Sequence, residues 1–325
     1  MDRAAGMSMF SLLSEGGAST SITAPVSGRN MSEYRSDLER LRRRIDEIDD
    51  RLEDLLIERV KLVADVGLHK RHNGALAAHQ PAREAEIIRR LVFRGRGAFP
   101  AATLVRMWRE LLAATVRLQG AFTVAVYIPP DMPGYWDLAR DHYGSQTPML
   151  AYRSTGQVIG AVTEEQAAAG VLPMPQQGDA DPWWRHLLSA ADGAPHVIAR
   201  LPFGPRGNAR AEGADALAIG RGAFQPSGRD RTLLVTENAE SISRSRIAGV
   251  LSDLGLSCTF LASYEHADGA NNLIELDGFV PLSDPRIETF GSRLGGALLR
   301  LLPFGGYAVP LAPSELNGGA VAAGD

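Results

Sequence analysis

Leu41–Lys70 reads LRRRIDEIDDRLEDLLIERVKLVADVGLHK. Its apolar residues continue a pattern that starts at Leu38: Leu38, Leu41, Ile45, Ile48, Leu52 and Leu55, then Leu62 and Val66. The steps alternate between three and four, which lays these residues along one stripe of a helix, with the period near 3.5 of coiled-coil packing. No Pro interrupts the stretch, and Gly67 is its only Gly. The pattern predicts a helix from Leu38 to about Arg71, where His72, Asn73 and Gly74 break it. At 1.5 Å per residue that helix is about 50 Å long. A helix of that length cannot bury its own stripe, so it needs partner helices or a second copy of itself.

Two shorter helices follow. One begins at Pro81, a residue favoured in a first helical turn, and carries Ile87, Ile88, Leu91 and Val92 before Gly95 and Gly97 close it. The other begins after Pro100, carries Leu104, Trp108, Leu111 and Leu118 along one face, and stops at Gly120. Charged and polar residues fall where this helical unit should be apolar. The stripe of the first helix continues past Leu55 to Arg59, and Lys70 lies about three turns beyond on the same face. Glu84 precedes Ile88 and Leu91, while Thr115 and Gln119 extend the stripe of Trp108 and Leu111. An Arg in an apolar seam is costly unless it is paired or holds an anion. A polar seam residue can also fix helix register, and Arg42, Arg83 and Glu84 taken singly suit ordinary solvated helix charges. The set as a whole points two cations, a hydroxyl, an amide and a carboxylate into one bundle.

Bulk properties narrow the function. The net charge of −4 argues against a general attraction to nucleic acid or to an anionic membrane. One cysteine, Cys258, rules out an intrachain disulfide, and the seven His show no HxxxH pairing, so no metal is expected; no cofactor is expected either. No apolar run approaches the roughly 18 residues of a membrane helix. Residues 1–33 are rich in Ser, Gly, Ala and Thr and read as a disordered leader, with translation from Met31 as the alternative. The expected location is the cytoplasm.

From Phe122 the pattern changes. Val124–Ile128, Met149–Tyr152, Gly170–Leu172, Val197–Leu201 and Ala216–Ile219 read as strands. Tyr135–Tyr143, Gln157–Gln166 and Trp183–Ala190 read as helices between them, giving a small α/β layer with a mostly parallel sheet. Thr232–Val235, Ser243–Leu254, Ser257–Ser263, Asn271–Gly278, Arg286–Leu302 and Tyr307–Pro310 then give the order βαββαβ of the ferredoxin-like split arrangement. The expected organisation is multidomain α plus α/β: a leader over 1–33, a helical domain over 34–120, an α/β lobe over 122–228, a ferredoxin-like domain over 231–311 and a disordered tail over 312–325.

The residues resemble a known family. Leu41–Lys70 resembles the first helix of the all-helical chorismate mutases, QPAREAEIIRRL (Gln80–Leu91) the start of their second, and WRELLAATVRLQG (Trp108–Gly120) their third. The resemblance implies an intertwined homodimer in which the long helices pair, with chorismate as substrate. It implies that Arg59, with Arg42 from the other subunit, holds the two carboxylates of chorismate. Lys70 and Gln119 would donate to the ether oxygen, Glu84 would accept from the ring hydroxyl, Thr115 would help bind a carboxylate, and Arg83 would be a supporting charge. Gln80 stands where the family often has Asp. The reaction, a pericyclic rearrangement to prephenate, needs positioned cations and donors rather than an acid, base or nucleophile.

The later segments also resemble a family. GYWDLARDHYGSQTPMLAYRSTGQVIGAVTEEQAAAGVLPM (Gly134–Met174) resembles the first lobe of prephenate dehydratases, and GRGAFQPSGRDRTLLV (Gly220–Val235) their passage into a regulatory ACT domain. This is the layout of the bifunctional mutase–dehydratases. The departures are that Pro175, Gln176 and Gln177 replace the family's Glu-Asn-Ser, its Thr-Arg-Phe motif is absent, and Leu172–Ala216 is short for a second lobe. Asn238–Ser245 and Ser263–His266 replace the usual phenylalanine-binding signatures. The expected function is chorismate mutase with a degenerate dehydratase-like and ACT-like extension. The alternatives are a still-bifunctional enzyme and a non-catalytic partner of another shikimate-route enzyme.

Overall fold

A computed structural model describes residues 31–72, 79–94, 97–130, 132–189, 193–207, 210, 214–239, 242–267 and 269–317. The expected leader lies almost wholly outside the described residues. Where it overlaps them, at Met31 to Glu33, the chain is already helical. The chain divides into two compact units, with the boundary between Arg59 and Val60.

Helix α1 spans Met31–His72, a turn or two longer at its start than the apolar pattern predicts. Residues 31–37 carry no stripe to mark them, but nothing in them breaks a helix, and charges spaced for pairing follow at once. Arg40 reaches Asp37 at 3.2 Å and Arg44 reaches Glu47 at 2.8 Å. Such exposed pairs add only a few tenths of a kcal/mol each, roughly. The apolar stripe of α1 is open: Leu41, Ile45, Ile48, Leu52, Leu55, Leu62 and Val66 are between 42% and 60% exposed.

In the second unit, α2 (Pro81–Phe93) and α3 (Ala101–Gln119) begin and end where Pro81, Pro100 and Gly120 predict. The buried face of α3 differs from the expected one. Val105, Arg109, Leu112 and Val116 are buried, whereas Leu104, Trp108 and Leu111 are half-buried and Leu118 is exposed. The helix carries two apolar stripes, and its neighbours within the unit cover only the first.

The rest of the unit is a mixed nine-stranded sheet in the order β2-β1-β3-β5-β4-β9-β6-β8-β7. Its strands are β1 (Val124–Tyr127), β2 (Met149–Tyr152), β3 (Ala169–Pro173), β4 (His196–Leu201), β5 (Ala216–Gly220), β6 (Asp230–Asn238), β7 (Cys258–His266), β8 (Gly269–Asp277) and β9 (Leu298–Ala308). β1 pairs in parallel with β2 and β3, but β5 is antiparallel to both β3 and β4, so the first half is not mostly parallel. Helix α4 (Gly134–Tyr143) buries Leu138 and Ala139 with Val124 and Val126 of β1. Helix α5 (Thr155–Thr163) buries Val158 and Val162 with Ala125 on the other side of that strand, beside Trp183 and Trp184. The near-continuous apolar runs of β1, β3 and β5 follow from this burial on both faces.

The second half runs β6, α6 (Arg244–Asp253), β7, β8, α7 (Pro285–Leu294), β9, the order the sequence predicts. The expected helix over Arg286–Leu302 stops at Leu294. Gly295 takes φ +68, a single 3-10 turn follows, and β9 starts at Leu298. The expected helix at Trp183–Ala190 is one 3-10 stretch, Trp183–Leu187, set after Pro182. The tail is helical where the sequence predicts disorder: α8 spans Pro313–Asn317, and residues 318–325 lie outside the described residues. The two halves of the sheet join at one parallel pair, Val197 with Gly305. Gly305 has φ +85, and a Cβ there would run into the Val197 carbonyl, so only Gly serves at the joint.

Candidate active site

The residues expected to form the site divide between the two units. Arg42 and Arg59 lie in the first, on one helix, where seventeen residues correspond to roughly 25 Å of rise. Arg42 is exposed. Arg59 is half-buried, its Nη1 is buried with no hydrogen-bond partner among the described residues, and burial lowers its pKa. A buried donor left open in this way is costly unless something is to bind there.

Lys70, Arg83, Glu84, Thr115 and Gln119 lie in the second unit. The end of α1 passes close over the end of α3. Gly67 is buried, and a Cβ there would stand 3.2 Å from Cγ of Gln119, so a larger residue would press on the Gln119 side chain. Lys70 follows one turn later, and its side chain lies outside the described residues. Thr115 is buried and its Oγ1 donates to the Leu112 carbonyl at 2.9 Å, while Nε2 of Gln119 donates to the Thr115 carbonyl at 3.1 Å. Gln119, Thr115 and the Gly67 turn therefore form one corner of the helical region.

A second corner is built around Glu84, which is 8% exposed. Its Oε2 accepts from Nη1 of Arg109 at 2.9 Å, and Arg109 is 4% exposed. Its Oε1 faces Nε2 of His79 at 3.7 Å. Burial lowers the Arg109 pKa, against the raising effect of Glu84 and Tyr143. Burial also lowers the pKa of His79. Glu84 opposes that shift and Arg109 reinforces it. Behind His79 lie Phe122 and Tyr143, at ring distances of 5.1 and 5.6 Å, and His142 packs edge-on to Tyr143 at 4.7 Å. Burial holds the His142 pKa well below its ordinary value, helped by Arg109 and His79, and pushes Tyr143 up. His79 Nε2, His142 Nε2 and the Tyr143 hydroxyl are buried without a hydrogen-bond partner among the described residues.

Arg83, in contrast, is exposed and donates to Glu86 at 2.7 Å along its own helix. Gln80 stands at the start of α2 without capping it through its side chain, and its carbonyl accepts from the Glu84 N–H at 3.1 Å.

The α/β layer reaches this corner directly. The ring of Phe203, just after β4, lies 5.0 Å from the Arg109 guanidinium and 5.5 Å from that of Arg89. Arg89 of α2 is buried and donates to the Ser227 carbonyl and hydroxyl, both at 3.0 Å. It also donates to the Arg229 carbonyl at 2.9 Å and the Val309 carbonyl at 2.7 Å. Reading the sequence missed Arg109, His79 and Phe203. The signal for Arg109 was present: it falls four residues after Val105 and three before Leu112, a charge in an apolar stripe like that of Arg59. The stripe of Leu104, Trp108 and Leu111 lies beside it on α3 and masks it in the sequence. Nothing in the sequence marks Phe203 as its neighbour.

Residues 41–120 match the protein family described as chorismate mutase type II. A bifunctional chorismate mutase/prephenate dehydratase of Aquifex aeolicus is 30% identical over 142 residues, covering 42% of this chain and 39% of that protein. One from Pseudomonas aeruginosa is 28% identical over 144 residues, covering 42% of this chain and 38% of that protein. The matched stretch thus spans about two fifths of the length of these relatives. A solved prephenate dehydratase from Arthrobacter aurescens aligns with 61% of this chain and 95% of its own, at 12% identity and a TM-score of 0.43. No helix among the described residues is long and apolar enough to cross a membrane.

Proposed function

We propose that residues 34–120 are a chorismate mutase domain that rearranges chorismate to prephenate in aromatic amino acid biosynthesis. The observation that carries this reading is the match of residues 41–120 to the chorismate mutase type II family, on the same stretch whose seam holds Arg59. The active form is a cytoplasmic homodimer. The open stripe of α1 and the half-open stripe of α3 at Leu104, Trp108 and Leu111 give a second copy two apolar surfaces to cover. Arg59 binds one carboxylate of chorismate, Arg42 of the partner subunit the other, and Thr115 assists. The roughly 25 Å between Arg42 and Arg59 on one helix favours supply of Arg42 from a second chain. Lys70 and Gln119 donate to the ether oxygen as it gains negative charge. Glu84 accepts from the ring hydroxyl, and Arg83 is a supporting charge. Fixed donors in a site poor in water lower the barrier without a proton transfer, so no cofactor enters the reaction.

Residues 122–228 are in this reading a shortened dehydratase-like lobe and 231–311 an ACT-like domain, neither acting on prephenate. Gln177, in the place of a family motif residue, has its side-chain oxygen taken up by the Ser263 N–H at 3.0 Å and by Arg244. The test is Arg59→Ala. Chorismate turnover falls to background while circular dichroism retains the helical signal. Near-parental turnover in a folded variant refutes the assignment of Arg59 and with it the proposed site.

A further inference from the structure

We infer that Arg109 is a positioning residue for Glu84, and that the α/β layer, through Phe203, holds Arg109 in place. The inference rests on the reading of residues 34–120 as a mutase with Glu84 against the substrate, and it assigns the α/β layer a part in that chemistry.

Glu84 and Arg109 are both buried, and a single hydrogen bond of 2.9 Å joins them. That bond fixes one carboxylate oxygen. The other faces His79 at 3.7 Å, beyond hydrogen-bonding distance, and burial disfavours the charged imidazole that would compete for it. One oxygen is thus anchored and the other is left for a hydroxyl donor. The Arg109 side chain has its own support. Its guanidinium lies over the Phe203 ring at 5.0 Å, a geometry in which the ring face attracts a cation and fixes the plane of its donors. Phe203 itself lies against the ring-facing Arg89 guanidinium, which donates to backbone carbonyls at Ser227, Arg229 and Val309. From these carbonyls through Arg89, Phe203 and Arg109 to Glu84, each step is a contact between named groups, and the four side chains Arg89, Phe203, Arg109 and Glu84 are all buried. The layer that follows the helical domain is therefore a wall of the Glu84 corner.

The test is a double-mutant cycle on the whole 325-residue chain, reading turnover of chorismate. Arg109→Lys keeps the charge but loses the planar fork, and kcat/KM is expected to fall about tenfold or more. The loss falls mainly on KM, because a ring hydroxyl is held both before and during bond breaking. Glu84→Gln alone should show a similar fall. In the Glu84→Gln background, Arg109→Lys should then have little further effect, since Arg109 acts through Glu84. Phe203→Leu, which removes the ring face and keeps an apolar side chain, should give a smaller fall that also vanishes in that background. It decides the matter if Arg109→Lys does not fold. Losses that multiply fully in the double variants overturn the positioning role, because an effect on the fold alone would be felt in either background. A parental rate for Glu84→Gln overturns the underlying assignment of Glu84, and a parent that leaves chorismate unchanged overturns the mutase reading itself.

Discussion

Replacing Leu52 and Leu55 by Lys should split the active dimer. Lys and Leu have similar helix propensities, so the substitutions alter the stripe rather than the helix. Leu52 is 53% exposed and Leu55 is 60% exposed within one chain. Complete burial of a Leu side chain is worth about 2 kcal/mol, so covering the exposed part of these two in a partner contributes about 2.3 kcal/mol per copy. A two-fold interface counts each substitution twice, for about 4.6 kcal/mol in all. At 1.4 kcal/mol per decade, the dissociation constant should rise by roughly three orders of magnitude. The Lys stems recover some of that contact while their ammonium groups move to water. Sedimentation velocity over a concentration series measures the shift. The parent should sediment as a dimer at micromolar concentration and the double variant as a monomer. A parent that is monomeric throughout, or a double variant as dimeric as the parent, would refute the assignment of this stripe to a second copy.

Mixing Arg42→Ala with Arg59→Ala under subunit exchange should restore turnover that neither parent shows, because a heterodimer contains one intact shared site. No recovery despite proven exchange counts against sharing. Gln119→Glu should lose most turnover near pH 7.5 and regain it toward pH 5, since only the acid form of Glu donates to the ether oxygen. A pH–rate profile overlaying that of the parent would remove Gln119 from the reaction. His142 has its pKa held well below the ordinary value near 6.5 by burial. The folded state therefore resists a proton that the unfolded chain accepts. The stability this His allows is complete well above pH 6.5 and is lost progressively as pH falls through and below that value. His142→Phe should flatten the decline of urea midpoint between pH 7 and pH 5.5, and an unchanged decline would show that other groups cause it.

Reading the sequence located the helical region well because its signals are local. The three-and-four spacing over Leu41–Val66, Pro81, Pro100 and Gly120 each act within a turn of themselves, and the structure places helices there. Arg59 and Glu84 stand out in the sequence for the same local reason, as charges at positions of an apolar stripe. What failed depends on contacts between distant segments. The choice between the two stripes of α3 is made by neighbours such as Phe203, nearly a hundred residues away in sequence. The antiparallel setting of β5 is likewise set by pairing partners. The helix expected over Arg286–Leu302 fails for a local and a distant reason: Gly295 ends it, and Leu298–Leu302 then pairs with β6.

The account is tested most directly by incubating the protein with chorismate at neutral pH and following both possible products by proton NMR. It predicts that prephenate appears at a rate proportional to protein and that phenylpyruvate does not appear above the protein-free control. Chorismate that persists at the uncatalysed rate would contradict the mutase assignment, and protein-dependent phenylpyruvate would show that the dehydratase-like lobe still acts on prephenate.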